Sequence, residues 1–110
     1  MSGGTDADAD RIRRFDAEME SIYDRAKAIG YNAARFLIMI REDGGLESAH
    51  RLLQSSDISY GFGELWARGR QDLTVEALAL RPEFQQLFSA TELDTARARL
   101  GREHRHIEAN

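Results

Sequence analysis

The sequence predicts an all-α protein, a compact bundle of five to seven short helices. Three observations point there. Apolar residues recur at intervals of three and four over long stretches, the period of a helix that buries one face. Between Gly69 and Leu100, helix stop and start residues follow one another so closely that each short helix carries its own cap. The longest unbroken apolar run, Phe36 to Ile40, is flanked by Ala33, Ala34, Arg35, Arg41 and Glu42, good helix formers that extend it beyond the length of a buried strand.

With 110 residues, 42% of them apolar, the chain suits one domain, and such a chain buries roughly 65% of its unfolded surface. That domain is expected over residues 6–100, after a flexible lead-in at 1–5 and before a frayed or disordered tail at 101–110. The absence of cysteine excludes disulfides and thiolate metal sites. Met1 to Asp10 is polar and acidic, without a signal-like or membrane-spanning apolar run, so a cytoplasmic location is expected. A net charge of −4 argues against general affinity for nucleic acid or anionic membranes.

Asp6, Asp8 and Asp10 put negative charge where the first turn of a helix favours it, and Gly30 is the matching stop. Between them Ile12, Phe15, Met19, Ile22, Ala26 and Ile29 are spaced three and four apart, as in a coiled-coil seam or the core face of a bundle helix. Ile12, Phe15, Met19 and Ile22 are therefore the candidate seam for self-association through residues 10–29. In a parallel pair, Arg11 would face Asp16 of the second copy.

Residues 31–43, apolar on nearly every face, are expected as the central helix, closed by Asp43, Gly44 and Gly45. A third helix, about Leu46 to Gln54, turns Leu46, Ala49, Leu52 and Leu53 to one side. Ser59 suits the N-cap of a fourth helix, whose stripe of Phe62, Leu65 and Trp66 ends at Gly69. Gly61 and Gly63 inside it each cost about 1 kcal/mol relative to alanine, which predicts a close backbone approach. With no third glycine and no Lys-Ser or Lys-Thr pair, the pattern is not a phosphate loop.

Thr74 then serves as an N-cap, with Leu73 and Leu78 placed as a hydrophobic staple. Pro82 ends that helix and seeds a new turn with Phe84, Leu87 and Phe88 inward. Ser89 to Glu92 reads as a capping box, and Phe88 with Leu93 as a second staple. The last helix directs Leu93, Ala96 and Leu100 inward, sets Arg97 and Arg99 against its negative dipole end, and stops at Gly101.

The series Gly69-Arg70, Asp72 to Glu76, Phe84, Leu87-Phe88, Glu92, Ala96-Arg97 and Arg99-Leu100 resembles the closing helices of a family of small bacterial all-helical proteins, to which no activity is attached. The likeness extends to Tyr31–Leu53, about two thirds of the chain in all. Its motifs are those of packing and capping, so it implies a shared scaffold and leaves function to be argued from a site.

Chemistry-bearing residues are sparse. His104 and His106, with Glu103 and Glu108, lie beyond the expected stop and match no metal-ligand spacing. The pairs Glu42/Asp43 and Glu18/Glu20 diverge on a helix surface, His50 sits beside the apolar positions of its helix, and no serine lies in an activating turn. An enzyme is therefore not expected, and neither is a cofactor or a metal.

Residues 46–70 invite comparison with a helix-turn-helix, an alternative reading as a nucleic-acid-binding regulator. Its second helix offers few base-reading side chains. The favoured expectation is a non-enzymatic protein-interaction or regulatory module, its partner another protein or a second copy. Trp66, Arg68, Arg70 and Asp72 are the candidate contacts, because tryptophan and arginine dominate binding hot spots.

Overall fold

A computed structural model describes residues 3–109, and the side chains of residues 7–101. Among the described residues the chain forms helices α1 (Gly3–Ala28), α2 (Ala34–Asp43), α3 (Gly45–Gln54), α4 (Tyr60–Ala67), α5 (Val75–Ala79) and α6 (Ala90–Ala109). Single 3-10 turns at Gln71–Leu73 and Gln85–Leu87 precede α5 and α6, and none of the described residues forms a strand.

Helix α1 begins inside the segment expected to be a flexible lead-in, of which residues 1 and 2 lie outside the described residues. Asp8 pairs with Arg11, and Asp10 with Arg13 and Arg14, one turn further on, contacts that each add a few tenths of a kcal/mol to a helix. At its other end Gly30 adopts φ +96°. Its N–H reaches the carbonyl of Lys27 at 3.0 Å while Tyr31 reaches Ala26 at 2.9 Å, the paired bonds of a Schellman motif. Gly69, at φ +71°, closes α4 with the same two bonds, to Trp66 and from Arg70 to Leu65.

The main core joins Phe15, Met19 and Ile22 of α1 to Ala49 and Leu53 of α3, Val75, Leu78 and Ala79 of α5, and Phe84, Phe88, Leu93 and Ala96. Phe15 meets the rings of Phe84 and Phe88 edge-on, at 5.2 and 5.4 Å between centroids, the arrangement that aromatic quadrupoles favour. The expected self-association seam is spent here. Phe15 and Met19 are wholly buried, Ile22 is 7% exposed and Ile12 half-buried, so the seam faces the chain's own core. Arg11 and Asp16 likewise find partners within the chain, Arg11 on Asp8 and Asp16 on α3.

The helix expected at 31–43 exists as α2, but it does not occupy the centre. Of its apolar run only Ile40 is buried; Phe36, Leu37 and Met39 are half-buried and Ile38 is 55% exposed. The central position belongs to α3, which packs against α1, α2, α5 and α6. Its small residues Gly45, Ser48 and Ala49 are buried, and small side chains let neighbouring helices close in, whereas an apolar run requires only that some face be covered.

The caps fall where the sequence puts them. Ser59 accepts the N–H of Phe62, Thr74 that of Ala77, and Ser89 exchanges reciprocal bonds with Glu92. Phe88 and Leu93 share the main core, as a staple requires. Leu73 and Leu78 do not form one: Leu73 packs with Ala26 and Leu65 in a second, smaller core. Pro82 opens a turn that continues into the Gln85–Leu87 3-10 turn.

The stop expected at Gly101 is absent, and helical backbone continues to Ala109 through the tail expected to fray. Arg99 does not complement the helix dipole. It is 4% exposed, donates to Glu76 at 2.9 Å, and bonds the carbonyls of Leu52 and Ser55 at the end of α3.

Candidate functional site

Between α2 and α4 the surface opens into a cleft of about 650 Å³, within the roughly 300–1,000 Å³ typical of small-molecule sites. Ala33, Phe36 and Met39 form one wall, Tyr60, Gly61, Phe62 and Leu65 the other. Ile22 and Ala26 of α1, Leu52 of α3, and Leu73 and Val75 also contribute. The cleft follows from the position of α2: flanking α3, it turns Leu37 and Ile40 toward the main core, sets Phe36 between that core and the cleft, and leaves Met39 on the cleft.

Gly61 and Gly63 are not sites of close helix approach. A Cβ on Gly63 would meet nothing within 4 Å, and one on Gly61 would meet only the Tyr31 hydroxyl at 3.5 Å and Ser59 Oγ at 3.9 Å. Gly61 instead lines the cleft, where its missing side chain leaves the space open.

Most polar side chains of the lining already have partners. Ser59 and Thr74 cap α4 and α5, and Thr74 also donates to the carbonyl of Gln71 at 2.8 Å. Glu76 is held by Arg99 in a buried ion pair. Asn32 accepts from the Tyr23 hydroxyl at 3.0 Å through its amide oxygen, leaving its NH₂ group uncommitted among the described residues. Arg35, on the first turn of α2, forms no ion pair there either. No side chain caps α2 and no acidic residue occupies its first turn.

The mouth of the cleft is aromatic. Tyr31 and Tyr60 approach to 6.3 Å between ring centroids, and the Arg68 guanidinium lies 5.3 Å from the Tyr31 ring. Burial pushes the Tyr31 hydroxyl above its ordinary value and the nearby Glu64 carboxylate adds to the effect. Glu64 is in turn held below the usual carboxylate range, first by the Arg68 guanidinium bonded to it and then by the Tyr60 hydroxyl one turn away. The tyrosines therefore stay neutral at physiological pH.

The four contact residues expected from sequence flank this cleft without lining it. Trp66 is half-buried and stacks on Phe62 at 6.0 Å and 19°. Arg68 pairs with Glu64, and Arg70 binds both carboxylate oxygens of Asp72 at 3.0 Å. That pairing lowers the Asp72 carboxyl below its ordinary range. The cations that a helix-turn-helix over 46–70 would offer to phosphate are thus matched by carboxylates. His50 has a structural partner too, its Nδ1 lying 2.6 Å from Glu92 Oε2.

Among the described residues no three His, Asp or Glu side chains converge as a metal site, and no helix is long and apolar enough to cross a membrane. The side chains of Glu103, His104, His106 and Glu108 lie outside the described residues. The lining residues Asn32, Arg35, Phe36, Met39 and Gly61 escape sequence reasoning, although two signals mark them. These are an apolar run too wide for one buried face and a glycine without a packing duty. Comparison with known protein families, with curated proteins and with solved structures finds no match to the chain.

Proposed function

We propose that the protein is a non-enzymatic interaction module of regulatory type, and that its working surface is the α2–α4 cleft, which receives the apolar part of what it binds. The observation that carries this reading is the cleft itself: a concavity of about 650 Å³ whose floor is made by buried core residues such as Phe62, Leu65 and Leu73 and whose rim is made by the half-buried Phe36 and Met39. Withdrawing an apolar group from water there gains about 25 cal/mol per Å² of surface covered. The polar lining supports binding over turnover, since the Ser59 and Thr74 hydroxyls are occupied as caps and Glu76 is neutralised by Arg99.

A neutral solvatochromic dye, Nile red, tests the reading. Saturable one-to-one binding is expected, and Gly61→Leu, which pushes a side chain into the cleft, is expected to abolish it while circular dichroism stays helical. Binding that does not saturate, or that survives Gly61→Leu, would overturn the proposal.

A further inference from the structure

We infer that the ligand of the α2–α4 cleft is a small amphiphile, an apolar body carrying a single anionic head group. The inference rests on the reading of the cleft as the working surface and adds the class of its occupant. Two observations carry it: the shape of the apolar surface and the charge balance of the lining.

Shape favours a small molecule over a protein face. A stable protein interface covers roughly 800 Å² per partner on surfaces that are flat overall and depends on a central cluster of large apolar side chains. Among the described residues only Ile38 and Tyr60 are large hydrophobics in exposed positions. The other apolar surface is turned inward, where the half-buried Phe36 and Met39 stand over the buried Phe62 and Leu65 and line a concavity between helices. Such a shape surrounds a slender body on several sides, as small-molecule pockets do.

Charge identifies the head group. Two charged residues line the cleft, Arg35 and Glu76. Glu76 is buried and compensated by Arg99 at 2.9 Å, so it offers nothing to a ligand. Arg35 has no carboxylate partner among the described residues, and Asn32, three residues before it, has its amide donors uncommitted. An apolar lining with one uncompensated cation and an adjacent amide donor complements an apolar ligand with one anion. This local sign opposes the chain's net charge of −4, which would by itself repel anions. A preference for an anionic ligand would therefore originate in the cleft.

Dodecanoate, dodecanol and dodecyltrimethylammonium, each below its aggregation limit, separate body from head. Trp66, the only tryptophan, stacks on the cleft residue Phe62 and so reports occupancy by fluorescence. Dodecanoate is expected to bind one-to-one and on the order of tenfold tighter than dodecanol, the size of one charge-assisted hydrogen bond. Arg35→Gln is expected to reduce dodecanoate to the level of dodecanol and leave dodecanol unchanged. Arg41→Gln, which makes the same charge change on α2 away from the cleft, is expected to leave dodecanoate binding intact.

Cationic or neutral amphiphiles binding as tightly as dodecanoate, or an Arg35→Gln variant with undiminished preference, would overturn the inference while leaving the cleft as a binding surface. Nile red binding without binding of any alkyl probe would do the same. Failure of Nile red and every alkyl probe would remove both readings together.

Discussion

Asp16, in the middle of α1, accepts the backbone N–H of Leu46 at 3.0 Å and so caps α3 from a different helix. The residue at the local cap position, Gly44, has no side chain to do this. Close approach makes the bond possible. A Cβ on Gly45 would lie 2.7 Å from Asp16 Oδ1, 3.0 Å from Asp16 Cα and 3.2 Å from Met19 Cβ, so only glycine fits between the two helices. One contact thus ties a half-buried mid-helix residue of α1 to the start of the central helix.

Asp16→Ala is expected to lower stability by about 0.5–2 kcal/mol, the usual cost of losing an N-cap. Gly45→Ala is expected to cost about 1–3 kcal/mol, because backbone as well as side chain must move to admit a methyl group. Urea denaturation at neutral pH measures both. Stabilities equal to that of the parent would show that α3 does not depend on α1 for its cap.

The buried pair of Arg99 and Glu76 gives a second expectation. Both side chains are nearly inaccessible, and Arg99 also bonds the carbonyls of Leu52 and Ser55. Arg99→Met strands a buried carboxylate and is expected to cost about 3–5 kcal/mol. Combined with Glu76→Leu, it should cost about 1–3 kcal/mol less than the two single losses added together. A double-mutant cycle with strictly additive losses would mean that the pair does not interact.

These two contacts also mark what the sequence makes legible. The Ser59, Thr74 and Ser89 caps and the Gly30 and Gly69 stops are local, decided within five or six residues, and the chain order displays them directly. Asp16 and Leu46 are thirty residues apart and Glu76 and Arg99 twenty-three, so no periodicity connects them, and Arg99 reads as a mere complement to the helix dipole. Centrality is a relation among helices too. The apolar run of α2 suggests the middle of the bundle, yet Gly45, Ser48 and Ala49 are the residues that let four helices meet at α3. The cleft is hardest to read, because it is space left between elements; Gly61, with no close neighbour to accommodate, is its clearest local trace.

Acid stability should depend on Glu92. Burial raises its carboxyl, but the Ser89 N–H together with His50 and Gln54 more than offsets that, leaving it below the ordinary glutamate range. A carboxyl lowered on folding contributes stability that is complete above its unfolded value, about 4.3, and is lost as pH falls through the lower folded value. Glu92→Gln, which keeps a side chain able to complete the capping box, should cost about 0.5–1 kcal/mol at pH 7. The gap between parent and variant should narrow once pH falls below about 4.3 and close below the folded value. A gap constant from pH 7 to pH 3 would contradict the assignment.

The two glycines of α4 should respond alike in stability and differently in binding. Both have ordinary helical backbone, since neither appears among the positive-φ glycines, and Gly63 faces open space. Gly63→Ala should therefore raise stability by about 0.5–1 kcal/mol through helix propensity alone, with Nile red binding unchanged. Gly61→Ala gains the same propensity but places its methyl group in the cleft, 3.5 Å from the Tyr31 hydroxyl, and should weaken Nile red binding as it stabilises the fold. Thermal melts and dye titrations of the two variants read the two quantities separately. If Gly63→Ala destabilises, α4 has a packing partner at that position after all; if Gly61→Ala binds dye as the parent does, the floor of the site lies elsewhere.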